Sequence, residues 1–192
     1  MGIRKVKWDM LLEKAAYFFR TQGFHGTSMQ EIADSLGVNK ASLYHHILDK
    51  ENLGLVTLQA LHHFFRDTIF ATAYDEATPP IERLNRLATD LELYFLNSEG
   101  GCLMANFALE LGNRIPSFAN VMREYFSDWI HAFSFLLKIQ YQPTEAEHLA
   151  REIVACYQGA LIQLRLGHTE VLLRQKVRLL EMLENHIEKE TA

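Results

Sequence analysis

The chain has 192 residues, 48% of them hydrophobic and 22% charged, with a formal net charge of −5 and two cysteines. That length buries a core without staples, and Cys102 and Cys156 have no second ligand at metal-binding spacing, which argues against a disulfide scaffold or a zinc site. The start "MGIRKVKWDM" has no apolar stretch behind its basic residues, and no apolar run reaches the roughly 18 residues of a membrane span. The expectation is a soluble, cytoplasmic protein with no membrane association and no cofactor. Charge is unevenly divided: through Leu53 there are seven Lys/Arg against six Asp/Glu, and the remainder carries twelve against eighteen. The first quarter is the part suited to a polyanion.

Only four prolines occur, at 79, 80, 116 and 143, and apolar residues recur at helical spacing between them, so the fold class is all-α with about nine helices. Three short helices come first. From Lys7 to Thr21, Trp8, Leu11, Leu12, Ala15, Phe18 and Phe19 form one face, with Gly23 as the stop. A second helix opens at "TSMQE", where Thr27 with Gln30 or Ser28 with Glu31 forms a capping box, and Met29, Ile32, Ala33 and Leu36 make its buried stripe. Gly37 ends it. Asn39 caps a third helix that Val38, Leu43 and Ile47 hold against the other two. Longer segments follow at 51–72, 80–97, 102–111, 116–140, 145–166 and 169–189. The division is therefore residues 1–50, a three-helix unit, and residues 51–192, a larger helical bundle.

Two short helices joined by a tight glycine turn make a helix-turn-helix, whose second helix enters the DNA major groove. With Val38, Leu43 and Ile47 inward, Lys40, Ala41, Tyr44 and His45 lie on the opposite face, and Ser42 sits at its edge. A lysine in the first turn of a helix costs about 0.3–1 kcal/mol against the helix dipole, which makes sense if its partner is an external anion. Small residues allow close approach, lysine reaches guanine or phosphate, and tyrosine hydroxyl meets phosphate. Thr27 and Ser28 stand at another helix start suited to phosphate, and Lys50 stands just before the fourth helix. His45 and His46 point about 100° apart on a helix with no third ligand, so metal is not expected.

The stretch "TSMQEIADSLGVNKASLYHHILDKENL", residues 27–53, resembles the DNA-binding motif of TetR-family transcriptional regulators. The family pattern appears in order as Thr27-Ser28, Ile32-Ala33, Gly37-Val38, Leu43-Tyr44, His46 and Lys50-Glu51 with Leu53; Ile47 stands where the family usually has an aromatic. The resemblance implies phosphate contacts from Thr27, Tyr44 and Lys50, and base proximity for Lys40, Ala41, Ser42 and His45. It also implies a basic arm at Arg4, Lys5 and Lys7.

The last two helices are apolar on more than one side. Leu173, Val177, Leu180 and Ile187 make one stripe of the final helix, which Leu172, Leu179 and Met182 widen, while Ile153, Tyr157, Ala160, Leu161 and Leu164 recur on the helix before it. Such helices need neighbours on two sides. The resemblance implies that the second neighbour is another copy, a homodimer whose twofold axis matches a palindromic operator in double-stranded DNA. Interface residues are then Leu161, Leu164, Leu173, Val177 and Leu180.

Aromatic residues accumulate in the middle helices, and the resemblance implies a pocket for a small-molecule effector there. Most of these side chains are core material; Tyr94, Trp129, Tyr157 and Gln158 carry polar groups that need partners if buried, and Phe107 joins them as an apolar lining residue. The leading reading is a repressor released by an effector. An effector-independent DNA binder is the alternative, as is a thiol sensor at Cys102, which follows two glycines at a helix start. An enzyme is not expected: His148 and Glu152 are i, i+4 neighbours, but the paired Glu-x-x-His motifs of a di-iron bundle, a nucleophile elbow and a phosphate loop are absent from the sequence.

Overall fold

A computed structural model of the chain describes the backbone of residues 7–190 and the side chains of residues 7–182. Arg4 and Lys5 lie outside the described residues, as does the side chain of Ile187. The α-helices are α1 Trp8–Gly26, α2 Met29–Ser35, α3 Lys40–Tyr44, α4 Lys50–Phe64, α5 Pro80–Leu96, α6 Leu103–Leu111, α7 Pro116–Leu137, α8 Pro143–Arg165 and α9 Thr169–Glu190. No strand occurs among the described residues.

The chain divides into two compact units. Residues 1–63 and 102–123 form the first, and residues 64–101 and 124–192 the second. This boundary differs from a cut at residue 50, because most of α4, all of α6 and the start of α7 group with the N-terminal helices.

In the first unit, Leu11, Ala15 and Phe19 of α1, Ile32 and Ala33 of α2, Leu43 of α3 and Leu53 of α4 are fully buried. Trp8, expected on the same face as Leu11, is 42% exposed in the first turn of α1. Phe24 anchors a second part of this core, with the rings of Phe19, Phe107 and Phe118 each 5.5–5.6 Å from its own. Gly54 of α4 meets this cluster closely: a Cβ there would lie 3.0 Å from Phe118 and 3.2 Å from Phe24. α1 also runs past the expected stop. At Gly23 the backbone leaves helical geometry (φ 81°, ψ 168°), and one further turn ends at Gly26.

In the second unit, α5 packs on α9, and α8 pairs with α9. Pro80 and Pro143 occupy the first turns of α5 and α8, where a missing N–H costs nothing and φ is already helical. The turn between α8 and α9 closes as a Schellman motif at Gly167 (φ 93°), with His168 N–H donating to Gln163 O at 2.9 Å. The segment expected as one helix over 51–72 is not uniform. α4 passes into a π-helical turn, Phe65–Ile69, and a 3-10 turn, Phe70–Tyr74. The Phe70 N–H donates to Phe65 O, which is the i to i+5 bond of π winding. That extra residue brings Phe65 and Phe70, both buried, within 5.5 Å of one another, a contact that straight α geometry would not give.

Candidate nucleic-acid interface and buried bundle site

The helix-turn-helix is set by local hydrogen bonds. Of the two capping boxes open to α2, the one formed is Ser28 with Glu31: Glu31 N–H donates to Ser28 Oγ at 3.2 Å, and Ser28 N–H donates to Glu31 Oε2 at 2.8 Å. The bonds from the Ser28 hydroxyl and then its backbone hold the Glu31 carboxyl below its ordinary value. α2 stops in a Schellman motif at Gly37 (φ 66°), with Val38 N–H donating to Ala33 O at 3.1 Å and Gly37 N–H to Asp34 O at 3.0 Å. Asn39 then caps α3, its Oδ1 accepting from Ser42 N–H at 2.8 Å and from Ser42 Oγ at 2.9 Å.

These bonds sort the eight residues expected to face DNA. Ser28, Lys40, Ala41, Tyr44 and His45 are exposed, while Leu43 and Ile47 turn into the core. Lys40 has no ion pair among the described residues. Thr27, Ser42 and Lys50 are placed differently. Thr27 is buried and directs both its N–H and its hydroxyl to Gly23 O, at 3.2 and 2.7 Å. Ser42 is buried because its hydroxyl folds back on Asn39. Lys50 sends its ammonium to Phe24 O at 3.0 Å and Thr27 O at 3.1 Å, over the Phe24 ring.

In the second unit, Trp129 and Tyr157 come together at 5.7 Å between ring centroids, both fully buried. Phe70, Phe95 and Phe126 stack on the Trp129 indole at 6.0–6.4 Å, and Phe133 stacks on Tyr157 at 5.9 Å. Trp129 Nε1, Tyr157 Oη and Gln158 Nε2 are buried with no hydrogen-bond partner among the described residues. Burial, then the nearby Glu92 carboxylate, pushes the Tyr157 hydroxyl far above its ordinary value. Burial likewise raises Glu92, against the pull of Lys176. Tyr94 is half-buried and packs on Phe65 at 4.6 Å. Phe107 does not join this group; it sits in the first unit, 5.6 Å from Phe19 and 5.5 Å from Phe118.

Of the residues expected at a dimer face, Leu173 and Val177 are 43% and 55% exposed, Leu164 and Leu180 are half-buried, and Leu161 is buried. Ile162 and Leu166 of α8 were not singled out from the sequence, yet they are more exposed than any of these. Their i, i+4 spacing beside the buried Leu161 was the available signal. A groove of about 480 Å³ between α8 and α9 is lined by Cys156, Glu152, Gln175 and Arg178 among others. Cys102, the alternative thiol sensor, is buried at the N-cap of α6, and Cys156 is exposed. His148 and Glu152 form an exposed contact of 3.7 Å, and no cluster of potential metal ligands occurs among the described residues.

Residues 11–54 match the family described as bacterial regulatory proteins, tetR family, and residues 80–178 match the C-terminal domain of LmrA/YxaF-like transcriptional regulators. The chain is 30% identical over 164 residues to the HTH-type transcriptional repressor DhaR of Mycobacterium sp. (strain GP1), covering 81% of each. The chain belongs to the TetR family. As a TetR-family member it is a DNA-binding transcriptional regulator and not an enzyme. Another similar relative is the regulator LmrA of Bacillus subtilis, 24% identical over 68% of this chain and 70% of that one. A TetR regulator from Legionella pneumophila shares the fold, with a TM-score of 0.83 at 20% identity over 95% of this chain and 99% of that chain. TetR regulators bind DNA and act as dimers with small-molecule effectors. Among the described residues no helix is long and apolar enough to cross a membrane.

Proposed function

We propose that this TetR-family chain is a repressor that binds a palindromic operator as a homodimer and leaves it when a small-molecule effector binds. The observation that carries the reading is the outward face of α3: Lys40, Ala41, Tyr44 and His45 exposed on a helix whose other face is core. Lys40 reaches a guanine edge or a phosphate, Ala41 permits close approach, Tyr44 donates to phosphate, and His45 faces the bases. Ser28 donates its hydroxyl to phosphate. Thr27, Ser42 and Lys50, already bonded inside the protein, hold the two helices in position. Residues 1–50 read DNA, and residues 51–192 carry the effector and dimer functions.

Trp129, Tyr157 and Gln158 are the effector-binding groups, since buried donors without acceptors are costly and a ligand with acceptor atoms relieves that cost. Tyr94, half-buried against Phe65 and Phe95, is a further lining residue, and Phe107 belongs to the core that supports α6. A second copy covers Leu164, Ile162, Leu166, Leu173, Val177 and Leu180, since Ile162, Leu166, Leu173 and Val177 are large apolar side chains left exposed on α8 and α9, with Leu161 buried beside them. The repressor sense is supported by relatives named as repressors, among them DhaR and, at 37% identity over 41% of this chain, KstR2 of Mycolicibacterium smegmatis.

Fluorescence anisotropy against the DNA upstream of the chain's own gene, with scrambled DNA beside it at two salt concentrations, tests the reading. Specific binding should weaken for Lys40→Ala and Tyr44→Phe by about 1–3 kcal/mol each. Binding no tighter than to scrambled duplex, at operators chosen from a random pool as well as upstream DNA, rejects it. Sedimentation equilibrium on Val177→Asp, expected to dissociate to monomers, tests the dimer face separately.

A further inference from the structure

The break in α1 is held by a residue from far along the chain. Because Gly23 takes φ 81° and ψ 168°, the two amides that follow it are both available to one acceptor, the Glu110 carboxylate on α6. Phe24 N–H donates to Oε2 at 2.7 Å and His25 N–H donates to Oε1 at 2.6 Å. The fit requires glycine twice over. A side chain rarely adopts that φ, and a Cβ would lie 2.8 Å from Glu110 Oε2. One turn earlier on both helices, Asn106 Nδ2 donates to Arg20 O at 3.0 Å, so α6 grips α1 at two levels. From α4, Lys50 holds Phe24 O and Thr27 O on the far side of the same break. The entry to the helix-turn-helix is thus tied to α6 by short, charge-assisted, directional bonds.

The segment 102–123, which is α6 and the start of α7, is also the part of the first unit joined along the chain to the second at both ends. Gly100 and Gly101, at φ 88° and 78°, precede it in the second unit. After Gly112 (φ 55°) the chain enters α7, whose residues from Glu124 onward, Trp129 included, belong to the second unit. Apolar contacts allow one helix to slide on another, whereas a carboxylate forked over two consecutive amides fixes a single register.

We propose that Glu110 is a positioning residue that couples the effector-binding unit to the DNA-reading helices: it makes α6 and the α1 break move as one body, so that a shift of α6 changes how α2 and α3 are presented. This rests on the repressor reading above. Coupling is reciprocal, so operator binding must be felt in the second unit, and no effector is needed to measure it.

Hydrogen–deuterium exchange of the full-length dimer, with and without the operator duplex found by anisotropy, is the test. In wild type, saturating duplex should change protection in segments 129–137 and 150–164. In Glu110→Gln, whose amide accepts at one atom only, the Phe24 and His25 amides should exchange about tenfold faster and operator affinity should fall about tenfold, within the usual span of site-to-site coupling. At a duplex concentration that saturates the variant, the protection change in the second unit should be lost. Persistence of that change in a variant whose Phe24 and His25 amides are released overturns the proposal, as does its absence in wild type. Should Glu110→Gln fail to fold, Glu110→Asp, one methylene short but still charged, carries the same expectation in weaker form, and undiminished transmission in it overturns the proposal equally. Failure of wild type to prefer operator over scrambled DNA is seen before any variant is made; it removes the repressor reading, and this proposal with it.

Discussion

In the first unit nearly every polar group that shapes the DNA-reading face has a named partner, whereas α7 and α8 of the second unit keep three buried donors without one among the described residues. Ser28, Glu31, Asn39, Ser42 and Lys50 each close a bond that fixes a helix end. Trp129 Nε1, Tyr157 Oη and Gln158 Nε2 close none. A satisfied network specifies one backbone arrangement, which suits a surface that must match fixed base edges. Unsatisfied buried donors lower the stability of the state that holds them and leave free energy for a ligand to recover. The two units therefore differ in what a polar side chain is for: geometry in one, recognition in the other.

The largest expected effect breaks the packing on which the reading unit depends. Phe107→Ala opens a cavity among Phe19, Phe24 and Phe118 and should lower stability by about 3–5 kcal/mol in urea unfolding. A loss under about 1 kcal/mol would mean that the cluster collapses around the gap and contributes little rigidity. Next, deleting one polar group from each unit should have opposite consequences. Asn39→Ala removes two accepted bonds and an N-cap and should cost about 0.5–2 kcal/mol. Tyr157→Phe removes a hydroxyl with no partner and should change stability by less than about 1 kcal/mol, in the stabilising direction. A clear destabilisation by Tyr157→Phe would show that its hydroxyl is satisfied in solution and would remove it from the effector site.

What the sequence made legible was local. Pro80, Pro116 and Pro143 mark helix starts within a residue or two of where α5, α7 and α8 begin, and Ser28, Gly37 and Asn39 act within three or four residues of themselves. The outward set on α3 followed from where Leu43 and Ile47 had to go. The inward turn of Ser42 did not, because a five-residue helix gives the Asn39 cap control of the residue three ahead. The π turn at Phe65 was hidden since periodicity assumes α winding, and only the packing of Phe65 with Phe70 and Tyr125 selects the wider turn. Glu110 was beyond reach for another reason. Its partners Phe24 and His25 are 86 and 85 residues away, and no pattern within α6 separates a carboxylate that holds backbone from one that faces water.

The smallest expected effects are in pH, and there the two units should pull in opposite directions. Glu31 in the first unit has its carboxyl held below the ordinary value of 4.5 by Ser28. Its folded state binds protons less readily than the unfolded chain, so its contribution is present above the unfolded value and fades as pH falls through the folded one. Glu92 in the second unit is raised above 4.5 by burial. Its folded state holds the proton longer, so stability is greatest below the unfolded value and declines as pH rises through the folded one. Urea midpoints of wild type, Glu31→Gln and Glu92→Gln across the carboxylate range read both signs. The advantage of wild type over Glu31→Gln should grow with pH, while that of wild type over Glu92→Gln should shrink or reverse. Parallel slopes for the two variants would mean that Glu92 is solvated in the free protein and that burial does not hold its proton in the unit proposed to bind the effector.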